Sequence, residues 1–199
     1  MAHLRAVKAG LGRDCQLKID SAFTSGDAIK VLEWVKEETG ADFEIADSDD
    51  RTKSIDNFHE VLKDGLLLCQ LINKYLPDEL KLDMNKKTFQ KSSNPNFEIN
   101  RERERLDSFM IKCVQLGVPR VALFQIDNLY ELTNLSQVCA GLAALGSEIE
   151  GLPGFSGERR WPKKYVDPNA EEKRKAAKQN NKNSCTYSGI LFGAPDSHY

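Results

Sequence analysis

The run from Leu62 to Leu80, LKDGLLLCQLINKYLPDEL, constrains the fold more than any other part of the chain, because it is the most apolar stretch. It must be a membrane segment, a phosphate-binding loop around Lys63-Asp64-Gly65, or the interior of a folded domain. A membrane-crossing helix needs about 20 consecutive apolar residues. Here Lys63 and Asp64 close one side, Asn73, Lys74 and Pro77 close the other, and Gln70 lies between them, so no membrane span is expected. A Walker loop needs two glycines flanking the turn and a Gly-Lys-Ser/Thr ending, and this stretch has Gly65 alone. Lys63, Gln70, Asn73 and Lys74 share one stripe at helical spacing, while Leu66, Leu67, Leu68, Leu71, Ile72, Tyr75 and Leu76 cover the rest. A strand over LLLCQLI fits the residue types. The length and the narrow wet edge favour a buried core helix, capped by Asp64 and stopped by Pro77.

A core helix needs partners, and the flanking sequence supplies them. Residues 1–23 carry a weaker helical pattern through Leu4, Val7, Leu11 and Leu17, expected to pack on the domain as an N-terminal segment. Thr24-Ser25-Gly26-Asp27 reads as a capping box, with Asp27 reaching back to the Thr24 amide. Ile29, Leu32 and Val35 then recur at helical spacing up to a Gly40 stop. ADSDDRTKSID, residues 46–56, reads as a polar loop. Its aspartates do not make an EF-hand. Counted from Asp47, the sixth and twelfth positions are Thr52 and Phe58, and counted from Asp49, the third and fifth are Arg51 and Lys53. Residues 77–95 read as a long crossing loop. Asn96 is expected to cap a helix to Leu116 that opens on a solvated RERER and turns Leu106, Met110, Cys113 and Val114 to one face, with Gly117 as its end. A short turn, VPRVALFQID, and LYELT come next. Asn134 then caps a last helix with Val138, Leu142, Leu145 and Ile149 in register. No run of alternating strands is present. The reading is an all-α body of about four main helices plus short connecting ones over residues 24–151, followed by an irregular extension over 152–199.

Chemistry is sparse. The five cysteines, Cys15, Cys69, Cys113, Cys139 and Cys185, are odd in number and widely spaced, which favours free thiols in a reducing cytosol. Cys69, Cys113 and Cys139 lie on apolar helix faces without metal-ligand spacing, so core thiols and no metal or cofactor are expected. Of the histidines, His3 and His198 are near the termini; His59 beside Glu60 has no Gly-x-Ser-x-Gly elbow to serve and reads as a surface or half-buried side chain. Gly10-Leu11-Gly12 lacks the third glycine of a dinucleotide fingerprint. No enzyme is expected.

Several motifs together resemble a known family. FHEVLKDGLLLCQLINKYLPDE is similar to the central helix of a calponin-homology domain, F-x-x-x-L-K-D-G-h-h-L-C-x-L-I-N-x-L with h apolar. NRERERLDSFMIKCVQLGVPRVALFQIDNLYELTNLSQVCAGLAALG resembles that fold's later helices, and FSGERRWPKKYVDPNAEEKRK resembles the segment that comes after the domain in the transgelin/calponin family. The likeness covers about residues 20–178. Val61 stands where the family usually has Trp. Gly189-Ile190-Leu191-Phe192-Gly193 echoes the opening of the family's C-terminal repeat, and with APDSHY after it this stretch reads as a shortened, diverged copy. The resemblance implies an all-α calponin-homology fold and a cytoplasmic protein associated with the actin cytoskeleton, in muscle or other contractile cells, that stabilises or bundles filaments. It also admits a signalling adaptor that does not bind actin strongly.

Charge gives that implication a candidate site. Residues 1–157 hold 19 basic against 25 acidic side chains, and residues 158–182 hold 9 against 4. The cations concentrate at Arg159, Arg160, Lys163, Lys164, Lys173, Arg174, Lys175 and Lys178, with a possible short helix at AEEKRKAAK. One reading is a solvated linker; the other is an electrostatic strap laid on an acidic polymer such as filamentous actin. Trp161 among these cations is expected to fold back on the domain, because an exposed indole is costly. The acidic body and the lack of a basic face interleaved with aromatics argue against nucleic acid.

Overall fold

Residues 9–47 and 49–162 are described by the computed structural model, and the expectations resting on Leu4, Val7, the outer histidines, Cys185, AEEKRKAAK and the Gly189–Gly193 echo fall outside them. Seven α-helices and no strands occur among the described residues: α1 (Leu11–Ser21), α2 (Ser25–Thr39), α3 (Arg51–Leu62), α4 (Leu66–Tyr75), α5 (Pro95–Leu116), α6 (Ile126–Tyr130) and α7 (Leu135–Glu150). Three 3₁₀ turns, Asp78–Leu80, Lys87–Phe89 and Arg120–Ala122, shape the connections. The apolar helix α4 sits centrally against α5 and α2, and α7 packs on α2 and α6. Phe58, Leu62, Leu68, Leu71, Ile72, Leu106, Phe109, Leu142 and Leu145 are fully buried between them.

Local chemistry explains most boundaries, with some shifts from expectation. The Thr24 hydroxyl oxygen accepts from the Asp27 N–H at 3.2 Å, but Asp27 does not reach the Thr24 amide; its carboxylate instead accepts the Thr24 hydroxyl proton at 2.6 Å. Gly40 ends α2 in the left-handed region, as expected. The polar loop ends six residues early, at Asp50, because Asp50 caps α3 by accepting the Thr52 and Lys53 N–H groups. The long helix is capped by Asn94 rather than Asn96, with Pro95 in its first turn, where a missing N–H costs nothing.

Helices α3 and α4 are separate. Gly65 between them has φ 71°, and a Cβ there would meet the Arg105 Cβ at 3.0 Å and the Leu106 backbone N at 3.3 Å. Asp64 accepts the Leu66 N–H at 2.9 Å across this break. The Lys-Asp-Gly triplet is thus a sharp corner that lets α5 cross close over the start of α4.

The largest departure lies in RERER. Arg105 is the largest fully buried side chain, not a solvated one. Its Nε donates to the Thr88 carbonyl at 2.6 Å, Nη1 to the Asp64 carbonyl at 3.2 Å and to Glu98 Oε1 at 3.0 Å, and Nη2 to the Gln90 carbonyl at 3.0 Å. Burial pushes the Glu98 carboxyl up, but the Ser92 N–H and the Arg105 guanidinium outweigh it and hold the group below its usual range. The buried face of α5 is Arg105, Leu106, Phe109 and Cys113; Val114, expected on it, is exposed, and Met110 is half-buried. The three helix-face cysteines are buried free thiols, with burial raising Cys69 and Cys139 to about 12 and Cys113 in the same direction. Helix α1 buries no residue and is held by polar links instead, Gln16 Nε2 donating to the Thr133 carbonyl at 2.9 Å and Arg51 to the Asp20 carbonyl.

Arg105→Ala takes the donor from the part-buried Thr88 and Asp64 carbonyls and the Glu98 carboxylate and leaves the Gln90 carbonyl to Arg101 alone, so urea unfolding is expected to show a loss of about 3–5 kcal/mol. Arg105→Lys recovers only part of it, since an ammonium cannot span the same acceptors.

Candidate functional site

The start of the basic extension is built into the domain. After α7 the chain turns at Gly151 and runs back over α2 and α7 as far as Pro162. Glu150, only 8% exposed, accepts the Arg160 N–H at 2.7 Å and the Trp161 N–H at 3.1 and 3.2 Å. Arg160 Nη2 donates to both Glu37 oxygens, at 2.9 and 2.8 Å. The Ser147 hydroxyl donates to the Pro162 carbonyl at 2.9 Å.

Trp161 fills a slot between α2 and α7. Its ring meets Trp34 edge to face, with centroids 5.3 Å apart and planes at 78°, and the Lys30 ammonium lies 4.8 Å from its centroid. The slot exists because position 146 is glycine: a Cβ there would stand 2.2 Å from the Trp161 ring. The expected fold-back of Trp161 is therefore realised. The indole Nε1 and one Arg160 Nη1 are buried without a hydrogen-bond partner among the described residues. The ring's burial and its aromatic and cationic neighbours offset that cost.

Around this clasp the surface is acidic. Glu37, Glu38, Glu150 and Glu158 line a cleft with Trp34, Phe155 and Arg160. Burial raises the Glu38 carboxyl, but hydrogen bonds from Lys74 and Tyr75 more than reverse it and leave it below its usual range. Of the eight candidate cations, Arg159 is exposed and Arg160 is engaged by Glu37. Lys163, Lys164, Lys173, Arg174, Lys175 and Lys178 lie outside the described residues.

His59 is half-buried and its Nε2 lies 3.3 Å from the Tyr130 carbonyl. Tyr130 has two cations over its ring, with Lys63 Nζ 4.9 Å and the Arg103 guanidinium 4.5 Å from its centroid, while its hydroxyl donates to Glu102 at 2.7 Å. This cluster ties α3, α5 and α6 together. No group of three or more metal-ligating side chains occurs among the described residues, and no helix there is long and apolar enough to cross a membrane.

The model of the calponin homology (CH) domain matches residues 28–150. The chain belongs to the calponin-homology family. Myophilin of Echinococcus granulosus is 30% identical over 155 residues, which is 78% of this chain and 72% of myophilin. Rac guanine nucleotide exchange factor B of Dictyostelium discoideum is 34% identical over 122 residues, 59% of this chain but 9% of that protein. The calponin-homology fold thus occurs in a relative of this chain's own size class and as a small part of a much larger one.

Two features of this calponin-homology domain escape sequence reasoning. Glu37 and Glu150 sit more than one hundred and about ten residues from Arg160, and nothing in their local pattern marks them as its partners. The second is an apolar furrow between α5 and the segment after it, lined by Met110, Ile111, Val114, Val121, Leu123 and Phe124. The signal was present but misassigned: the apolar arc of α5 is too wide for one core-facing stripe, because Ile111 falls about 140° around the helix from Leu106.

Gly146→Ala is expected to eject the Trp161 ring and shift tryptophan emission to the red, a clean readout with Trp34 and Trp161 as the two tryptophans of the chain. Trp161→Ala removes a buried aromatic and is expected to lower stability by about 3–5 kcal/mol in urea unfolding. His59 gives a pH dependence. Burial holds its imidazole below the usual pKa, and Lys63 adds to this against the Tyr130 carbonyl and Asp56. The unfolded chain therefore takes up the proton first, and stability is expected to fall as pH drops below about 6.5 through the folded-state value. Urea midpoints of His59→Gln between pH 7.5 and 5 should fall less steeply.

Proposed function

We propose that this protein is a cytoskeletal interaction protein of the cytoplasm that associates with actin filaments, using the basic extension beside the calponin-homology domain. The observation that carries the reading is the charge split: an acidic body followed by 9 basic against 4 acidic side chains in residues 158–182. Such a segment steers association with an acidic polymer and weakens with salt, because the Debye length is about 8 Å at physiological ionic strength. The likeness to myophilin across most of both chains supports it. Members of this family are typically structural or adaptor proteins rather than enzymes, and no catalytic constellation occurs among the described residues. Arg160 is committed to Glu37, so of the two candidate cations among the described residues Arg159 is the one that faces water.

The second reading is a signalling adaptor, favoured by the occurrence of the same domain in a Rac guanine nucleotide exchange factor. In that case a stoichiometric partner other than actin is retained when filaments are depolymerised.

Co-sedimentation with filamentous actin over a salt series separates the two. The chain is expected to pellet at low salt and to be released as salt rises. Replacing Lys163, Lys164, Lys173, Arg174 and Lys175 together by alanine is expected to abolish most of the pelleting, whereas Arg160→Ala changes it little. Absence of pelleting at low salt, or pelleting indifferent to the fivefold replacement, would count against filament binding.

A further inference from the structure

The furrow beside α5 is self-complementary, and we infer that it is the face through which two copies of this chain associate. Asp107, Ile111 and Val114 are spaced i, i+4, i+7 and form one outward stripe of α5. After the Gly117 turn the chain runs back antiparallel to that stripe. Phe124 reaches Phe109 at 6.4 Å between ring centroids, and Asp127 reaches Arg103 Nη1 at 3.0 Å. The furrow between stripe and return segment is lined by apolar side chains that are unusually bare. Ile111 is 48% exposed, Val114 42% and Val121 92%. Scattered exposed apolar residues are ordinary, but a contiguous row of them lining one furrow marks an interaction surface.

Charge chooses the occupant. Arg120 lies just past the C-terminal end of α5, and Asp107 lies about 13 Å up the same helix from Leu116 at 1.5 Å per residue. Both line the furrow, both are exposed, and the side chain of neither makes an ion pair or hydrogen bond among the described residues. A furrow with an unpaired cation at one end and an unpaired anion at the other matches its own copy turned through a two-fold axis. Residue pairs then exchange reciprocally, as an isologous interface requires. Arg120 of each copy meets Asp107 of the other, and the protruding Val121 enters the Ile111–Val114 row of the other. This inference rests on no reading of actin binding and survives or fails separately from it.

Sedimentation velocity under reducing conditions, which keep the exposed Cys15 from cross-linking copies, tests it from about 1 to several hundred micromolar. The full chain is expected to show a reversible monomer–dimer equilibrium. Val121→Asp and Arg120→Asp are each expected to raise the dimer dissociation constant about tenfold or more, and Asp107→Arg combined with Arg120→Asp to bring it back within about threefold of the unaltered chain. All these positions are exposed, so the fold is retained, which circular dichroism verifies. A chain that stays monomeric throughout overturns the inference and leaves the furrow to a helix of another protein. Dimerisation indifferent to Val121→Asp, or a double replacement that fails to restore it, also overturns it.

Discussion

One guanidinium organises the middle of this molecule. Arg105 reaches the Lys87–Phe89 turn through Thr88 and the Gln90 carbonyl just after it, the α3–α4 corner through Asp64, and the first turn of its own helix through Glu98. The connection between α4 and α5 packs Leu80, Leu82, Met84 and Phe89 only partly buried against the core, so burial is not its sole anchor. It is also held by hydrogen bonds to a charge that has itself left water, a state tolerated only when every donor finds an acceptor. The tight corner at Gly65 is the other half of the arrangement: without a side chain there, the backbone of α5 comes close enough for Arg105 to reach the Asp64 carbonyl.

How far the fold is legible in the sequence depends on what kind of force sets each element. Helices fixed by apolar periodicity and local caps, such as α2 with Thr24 and Gly40 or α7 with Asn134, are readable because their signals lie within a few residues. The central run is recognisable as a core helix that starts at Asp64, which accepts the Leu66 N–H as expected, yet the close approach of a helix forty residues on to Gly65 has no local signal. Arg105 is misread for the same reason. Five alternating charges resemble a wet surface, and the carbonyls that accept the guanidinium come from segments with no pattern of their own. The site divides likewise. The basic composition of the extension and the inward turn of Trp161 are legible; the acidic partners of Arg160 are not, and the furrow beside α5 shows only as an apolar arc too wide for one core-facing stripe.

Charge and packing act in opposite directions where the domain gives way to its extension. The face that receives the segment is lined by Glu37, Glu38, Glu150 and Glu158, so the body competes with any external anion for the nearest cations. It wins with Arg160, where two carboxylate oxygens and a part-buried backbone contact act together. It does not engage Arg159, which faces water one residue earlier.

The slot that receives Trp161 also bears on where this domain physically stops. The matched region ends at Glu150, yet Trp34 is roofed by an indole that arrives only at residue 161, and Ser147 is still holding the Pro162 carbonyl. A fragment cut at the homology boundary would open α2 and α7 along a greasy seam, leaving Trp34 uncovered and Glu150 without the two amides it serves. The folding unit and the recognisable module are therefore not the same length, and the strip between them behaves as a hem that keeps the cloth from fraying.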